Sequence, residues 1–499
     1  MSHKPSRQKF IIFSTLAILL TIACNMVTGI SLSIPAPTPT KTVAVIINTA
    51  TLSPVQFKPG DPTATPVGSE ITDLNYIKGV EAIYADNYEE ALVLLNAVIE
   101  ANPNLAPPYQ YRGLVYYYFD DCASGLADEE KALSINPNYA AAWARRGLLY
   151  SCLGNDIQAY QDYQKALSID PSLAFIHHNL GYDFYLKGEY EKSLEEYGLS
   201  VAIDPNRSAA WAGKAEALTQ LGRFDECIVN ATKAIEANAE EWIAYTDRGN
   251  CEDFIGDYPA AIKDYKTSLE HDSTDAEMWF NLGNSQHHAY FLQDALDSFD
   301  KALELNPSYY PAYINRGITN NDFGRYNEAV DDFNRALELS DNPLVYSGRG
   351  TALYHLEKYD EAIADLELAT RMMPGYPHAR CMLALSYVEV ERYQEALDSA
   401  AVVNQLAPGC GGEPLVVAQA QSYYALGEYE QGIVFINEAF GMGQYYVIQY
   451  YYRGIMYQAL GQNEKAVSDL ELFISTTPDN GTYHPEAVAD AEKRLAQLK

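Results

Sequence analysis

"AAWARRGLLYSCLGNDIQAYQDYQKALSIDP", residues 141–171, is the stretch of sequence that decides the fold. In its first half, Trp143, Arg146, Gly147 and Tyr150 stand at positions i, i+3, i+4 and i+7. This spacing places the four side chains on one face of an α-helix, because a helix completes a turn every 3.6 residues. The first half therefore predicts an amphipathic helix.

The second half of the stretch has a pattern of the same kind. Ala159, Tyr163 and Ala166 lie at helical spacing after a turn predicted at Gly154, and Pro171 follows them. Proline ends a helix because its nitrogen has no hydrogen to donate and its ring clashes with the preceding turn. The stretch therefore predicts two helices joined by a short turn.

The same two-helix pattern recurs along most of the chain, at a spacing close to 34 residues. A small residue occupies the position of Gly147 in each of twelve units. These positions are Gly79, Gly113, Gly147, Gly181, Ala215, Gly249, Gly283, Gly317, Gly350, Ala384, Ala420 and Gly454. A fixed period of this length is typical of repeat proteins, in which each repeat is one supersecondary unit.

The units resemble tetratricopeptide repeats, which share the pattern W-x2-L-G, then A-x3-F, then a proline. The seventh unit has Trp279, Leu282, Gly283, Ala295, Phe299, Ala302 and Pro307. The resemblance implies an all-α fold, a right-handed superhelical solenoid of about twelve helix-turn-helix units over residues 70–480. Helices of about 14 residues are marginal alone in water, so we expect the units to be stabilised by stacking on their neighbours. Residues 481–499 are predicted to contain a capping helix.

The first 69 residues are predicted to export the protein and tether it to a membrane. Residues 1–24 begin with basic side chains and continue with an uncharged apolar run from Phe10 to Ala23, which is typical of a signal peptide. The residues before Cys24 resemble a bacterial lipobox, which implies that Cys24 is lipidated; an uncleaved signal anchor is the alternative. Residues 25–69 are rich in proline and threonine and predict a disordered linker. The expected location is the extracytoplasmic face of the cell membrane.

The charge of the chain excludes one class of partner. The formal net charge is −33, and the part after residue 69 is more acidic still, with 29 basic and 66 acidic residues. So negative a body repels phosphate backbones, and we therefore expect no binding of nucleic acid. The sequence also contains no P-loop, no G-x-S-x-G and no H-E-x-x-H motif, so neither an enzyme nor a cofactor is expected.

Six units have an arginine immediately before the small residue, and the same six units have an aspartate sixteen residues after it. The units without that arginine have no aspartate at the second position. Residues that change together are candidates for contact, so we predict a guanidinium–carboxylate pair between the two helices of each unit; common descent of the units is the alternative. The predicted pairs are Arg112 with Asp128, Arg146 with Asp162, Arg248 with Asp264, Arg316 with Asp332, Arg349 with Asp365, and Arg453 with Asp469.

Six cysteines follow Cys24, an even number in a body expected to be exported. Short separation along the chain favours three disulfides, one of the fifteen connectivities that six cysteines allow. The favoured pairs are Cys122 with Cys152, Cys227 with Cys251, and Cys381 with Cys410. Free thiols are the alternative.

In the tetratricopeptide repeat family, the inner side of the first helices lines a groove that holds extended peptides. The side chains that the resemblance places there are His178, Asn179, Tyr182, Tyr185, Asn250, Asp253, Asn281, Asn284, His287, His288, Asn315, Asn321 and Tyr354. Amide groups can both donate to and accept from a peptide backbone, so they suit a partner-binding role; a merely solvated face is the alternative. The histidines are too far apart along the repeats to form a metal site.

The sequence therefore predicts a membrane-tethered, exported scaffold that binds protein segments in its groove. Such a scaffold would act in envelope assembly, secretion or recruitment. The alternative is a helper in polysaccharide export that binds glycans through Tyr182 and Tyr185, because phenol rings can stack on sugars.

Overall fold

A computed structural model describes residues 73–477 and 484–499 of the 499-residue chain. These residues form 25 α-helices and, within the same ranges, no strand. They divide into two compact units, residues 73–273 and residues 274–499, and each is described by itself. The predicted signal peptide, lipidation site and linker of residues 1–69 lie outside the described residues. No helix in the described part is long and apolar enough to cross a bilayer.

The first unit contains six two-helix hairpins. Its helices are α1 (Leu74–Tyr84), α2 (Tyr88–Ala101), α3 (Ala106–Tyr118), α4 (Cys122–Ile135), α5 (Ala140–Cys152), α6 (Asp156–Ile169), α7 (Ala174–Leu186), α8 (Tyr190–Ile203), α9 (Ser208–Gln220), α10 (Phe224–Ala237), α11 (Trp242–Ile255) and α12 (Tyr258–His271).

The second unit contains six further hairpins and a final helix. Its helices are α13 (Ala276–His288), α14 (Leu292–Leu305), α15 (Tyr310–Asp322), α16 (Tyr326–Leu339), α17 (Pro343–His355), α18 (Tyr359–Met372), α19 (Pro377–Glu389), α20 (Tyr393–Leu406), α21 (Gly412–Leu426), α22 (Tyr429–Gly441), α23 (Val447–Ala459), α24 (Asn463–Thr476) and α25 (Pro485–Leu498).

The small residue of each first helix lets the second helix approach closely. In α5, a methyl group added at Gly147 would lie 2.8 Å from the ring of Tyr163, which is fully buried. Ala159 and Ala166 complete the buried stripe of α6. Gly154 ends α5 with a φ of 72°, a left-handed conformation that glycine adopts without steric cost. The helices are therefore paired through the pattern that the sequence showed.

Consecutive hairpins stack so that their first helices contact one another, as α7, α9 and α11 do in the first unit. At the end of the second unit, α25 packs Ala487, Ala491 and Leu495 against α23 and α24. A hydrogen bond of 2.9 Å from the Tyr451 hydroxyl to Asp490 adds to this contact. The predicted all-α stack of helical hairpins with a capping helix is confirmed.

Candidate functional site

Each of the six arginines lies on a first helix and donates two or more hydrogen bonds to the aspartate sixteen residues later. The donor–acceptor distances lie between 2.5 and 3.1 Å. The six aspartates are between 2 and 8 % exposed, so the pairs are largely desolvated. Charge-assisted bidentate bonds of this kind are among the strongest hydrogen bonds in proteins. We call each such arrangement a clasp.

Two further contacts of the clasps were not anticipated from the sequence. Five of the six guanidinium groups also donate to the second helix of the preceding hairpin; the acceptors are Asn96, Thr232, Asp300, Asn334 and Asn437. Every guanidinium also lies within 6 Å of the aromatic ring three residues earlier; these rings are Tyr109, Trp143, Tyr245, Tyr313, Tyr346 and Tyr450. Five of the six clasps therefore join three helices, and the clasps support the stack rather than a ligand.

The cysteines follow the favoured pairing in two cases and depart from it in the third. Disulfides join Cys122 to Cys152 and Cys227 to Cys251, each linking the second helix of one hairpin to the first helix of the next. The predicted bond between Cys381 and Cys410 is wrong, because Cys381 is a free thiol. Its sulfur is fully buried and lies close to Gly411, and burial raises the pKa of this thiol to about 12. At neutral pH it is therefore protonated and chemically inert.

One group of three potential metal ligands lies close together within the described ranges. It consists of Asp120, Cys122 and Cys152. Both sulfurs are already joined in a disulfide, so neither is a thiolate that could bind a metal.

In the second unit, the predicted amide groups bond to the protein itself. Asn315 donates from Nδ2 to Oδ1 of Asn284 over 2.7 Å, and the two residues are 2 and 7 % exposed. Asn321 donates to the carbonyl oxygen of Gly348 over 2.9 Å. Asn284 and Asn315 are therefore paired with each other inside the protein, because burying a polar group favours satisfying it internally. Asn281 remains half-buried on the same helix as Asn284.

Tyr354 is also misplaced by the sequence prediction. It is 5 % exposed and belongs to a hydrophobic cluster, with its ring in contact with His355 and Tyr359. A tyrosine at this helical position carries a large apolar body, and packing that body inside the unit outweighs presenting the hydroxyl to a partner.

His287 is held by neighbours on the next first helix. Its Nδ1 lies 3.0 Å from the hydroxyl of Thr319, and its Nε2 lies 3.5 Å from the carboxylate of Asp322. Burial lowers the pKa of His287 to about 3 and raises the pKa of Asp322 to about 7. His287 is therefore neutral at physiological pH, and it acts as a hydrogen-bonding group that fixes α13 against α15. His288 packs edge-on against it at 5.4 Å.

A cavity of about 20 Å³ lies between α15 and α17, next to Asn321 and Asp322. His378 of α19, which is 4 % exposed, also lines the cavity, and burial lowers the pKa of its imidazole to about 4. The volume is enough for about one water molecule.

In the first unit, two of the predicted residues are held inward and two support neighbouring rings. Asn179 is 9 % exposed, so little of its side chain is open to a partner in this structure. The ring of His178 packs at a tilt of 60° against the buried ring of Tyr197, with 5.4 Å between the ring centres, and burial lowers the pKa of His178 to about 4. Asn250 accepts a hydrogen bond of 2.8 Å from Tyr265 and is half-buried, and Tyr182 packs beside Tyr197.

Polar side chains form a surface across three consecutive first helices of the first unit. They are Tyr182 and Tyr185 of α7, Glu216 of α9, and Asn250 and Asp253 of α11, all half-buried. We call this surface the α7–α9–α11 face. Burial and then the Glu216 carboxylate raise the pKa of the Tyr185 hydroxyl above its ordinary value, so the side chains of these adjacent helices interact with one another.

Sequence reasoning missed two acids at this face, Glu216 and Asp247. Asp247 stands two residues before Gly249, the same offset as Asn179, Asn281 and Asn315 have from their own glycines. This repeat offset is therefore a signal for Asp247 as well, although the prediction considered only amide side chains there. Glu216 directly follows Ala215, and no other unit has an acidic residue at that position.

Three comparisons relate this arrangement to known proteins. Models of the family described as "Tetratricopeptide repeat" match residues 140–173, 208–241 and, in three overlapping segments, 253–310, 289–343 and 322–377. The chain contains tetratricopeptide repeats. Proteins built from tetratricopeptide repeats generally bind other proteins and are usually not enzymes. A search of curated protein sequences finds no match.

Three solved structures are similar to this chain. The Cut9–Hcn1 hetero-tetramer of the APC/C matches with 15 % identity and a TM-score of 0.42, over 86 % of this chain and 96 % of that one. Yeast Tom70 matches with 16 % identity and a TM-score of 0.34, over 85 and 95 %. PilF of Pseudomonas aeruginosa matches with 18 % identity and a TM-score of 0.39, over 42 and 94 %.

Proposed function

We propose that this protein is an exported, membrane-tethered scaffold that binds segments of other proteins through the α7–α9–α11 face. The observation that supports this most is the chemistry of that face. Phenol, amide and carboxylate groups stand on three adjacent helices and are only half-buried, so a segment lying across them can reach several donors and acceptors at once. Interfaces of this kind are rich in tyrosine and combine apolar rings with polar tips.

The tether is supported by the sequence of residues 1–69, with a basic start, an apolar run and a cysteine at position 24 followed by a linker. About 45 linker residues span roughly 40 Å root-mean-square when flexible. The repeats would then reach partners at or near the membrane while staying attached to it.

Site-specific photo-crosslinking tests the binding face. A crosslinking amino acid replaces Tyr182 in one full-length variant and Val229 in another; Val229 lies on the second helix α10 and is 54 % exposed. We expect the variant at position 182 to capture discrete protein partners from native membranes and the variant at position 229 to capture none of them. Capture of the same proteins from both positions, or from position 229 alone, would rule out the α7–α9–α11 face.

Replacing Cys24 with serine tests the tether. Without the thiol no acyl chain can be attached, so we expect the protein to move from the membrane pellet to the exported soluble fraction. The measurement is fractionation followed by immunoblotting, together with mass spectrometry of the N-terminal peptide of the wild type. A variant that stays in the pellet, beside a wild-type peptide without added mass, would favour the signal anchor instead.

A further inference from the structure

Two acids at the α7–α9–α11 face, Glu216 and Asp247, stand on neighbouring helices, and no base among the described residues is paired with either of them. Glu216 of α9 is half-buried, and Glu216 and Asp247 occupy the repeat positions of Asn284 and Asn315 in the second unit, whose side chains meet over 2.7 Å. Asp247 of α11 is only 8 % exposed, and its Oδ2 has no hydrogen-bond partner among the described residues. A buried carboxylate oxygen without a partner is costly, so it marks a place where a ligand would be stabilising.

The electrostatics of Glu216 and Asp247 indicate the sign of the charge that such a ligand would carry. Burial, and after it the neighbouring Glu216 carboxylate and then Glu241, raise the pKa of Asp247 well above its ordinary value. Burial also raises the pKa of Glu216, and the nearby Tyr185 hydroxyl opposes this shift. None of these neighbouring groups is a base. Two close carboxylates that share one proton carry a single negative charge, and one cation would balance it.

We propose that Glu216 and Asp247 bind the ammonium group of one lysine from the partner segment. This inference rests on the proposed function, because the lysine arrives with a bound protein chain. The three acceptors available, the two carboxylates and the Tyr185 oxygen, match the three N–H donors of an ammonium group. A calcium ion would need six to eight oxygen ligands, more than these residues supply. The acidic body as a whole favours a basic segment over a neutral one.

The test uses a defined probe and a charge-matched control. The probe is an acetylated, amidated hexapeptide of alternating alanine and lysine, and a second hexapeptide has glutamine in place of each lysine. The site variant is Glu216→Gln with Asp247→Asn. The control variant is Glu195→Gln with Asp225→Asn, which changes the net charge equally but on exposed positions of α8 and α10.

We expect the site variant to bind the lysine peptide at least about tenfold more weakly than the wild type, and the control variant to differ less than twofold. Neither variant should change the weak binding of the glutamine peptide. Circular dichroism melts should show the site variant at least as stable as the wild type, because it removes buried charge. Equal losses in both variants would mean general electrostatic attraction, and no loss would mean that the acids hold only a proton; either result overturns the proposal.

The inference and the proposed function fail in distinguishable ways. If the Tyr182 position still captures partners when Glu216 and Asp247 are neutralised, the face binds protein but not through a lysine at these acids. If that position captures nothing when the acids are unchanged, the face itself is not the binding surface. This conclusion holds whether or not the lysine hexapeptide binds.

Discussion

Replacing Arg316 with alanine is expected to destabilise the second unit by about 3–5 kcal/mol, because it leaves a buried carboxylate without its counter-ion. Asp332 is 5 % exposed and would keep only the hydrogen bond from Asn320. Burial already raises the pKa of Asp332 against the opposing effect of the guanidinium, so desolvation offsets much of the attraction within the intact pair. The large effect is therefore expected from breaking the clasp, and not from its net contribution.

Urea unfolding followed by circular dichroism measures this change. The matched control is Arg335→Ala, which removes an exposed arginine paired with Glu338 on α16 and should cost less than about 1 kcal/mol. The double variant Arg316→Met with Asp332→Leu replaces the pair by apolar side chains and should recover most of the lost stability. A double-mutant cycle with zero coupling between Arg316 and Asp332 would contradict the role assigned to the clasp.

Replacing Gly213 with alanine is expected to destabilise the first unit by about 1–3 kcal/mol through overpacking. The added methyl carbon would lie 2.3 Å from Cζ of Tyr197, whose ring is 2 % exposed. Neither the ring nor the α9 backbone can move far, because close-packed interiors transmit strain instead of absorbing it.

Gly198 provides a control of opposite sign in the same hairpin as Tyr197. A methyl group there meets nothing within 4 Å, and the residue lies inside α8. Gly198→Ala should stabilise the unit by about 0.5–1 kcal/mol, because alanine loses less backbone entropy in a helix. Urea midpoints that move in the same direction for the two variants would show that the ring of Tyr197 does not limit the space at Gly213.

The hairpins could be predicted because their signal is both local and repeated. The contact between two helices requires small residues at Gly147 and Ala159 and a large ring at Tyr163, and that contact recurs in each unit. The clasps were visible for the same reason, since an arginine and an aspartate that vary together occur in six copies.

The surface was harder to predict because repeat offsets give a helix face but not burial. Asn284 and Asn315 have groove offsets, yet they bond to each other because adjacent first helices approach closely enough for their amides to meet. Short separation along the chain predicts a disulfide between Cys381 and Cys410, whereas the thiol of Cys381 is free and lies inside a hydrophobic cluster. Glu216 and Asp247 differ from the other acids of the chain in their burial, and spacing along the sequence does not show burial.

The two disulfides would limit how far the first unit lengthens when its ends are pulled apart. Their cysteines are 30 and 24 residues apart along the chain. A fully extended chain covers about 3.4 Å per residue, so the bonds would withhold about 100 Å and about 80 Å of contour length. Under mechanical load, the first unit would therefore lengthen in shorter steps with its disulfides formed than with its thiols reduced.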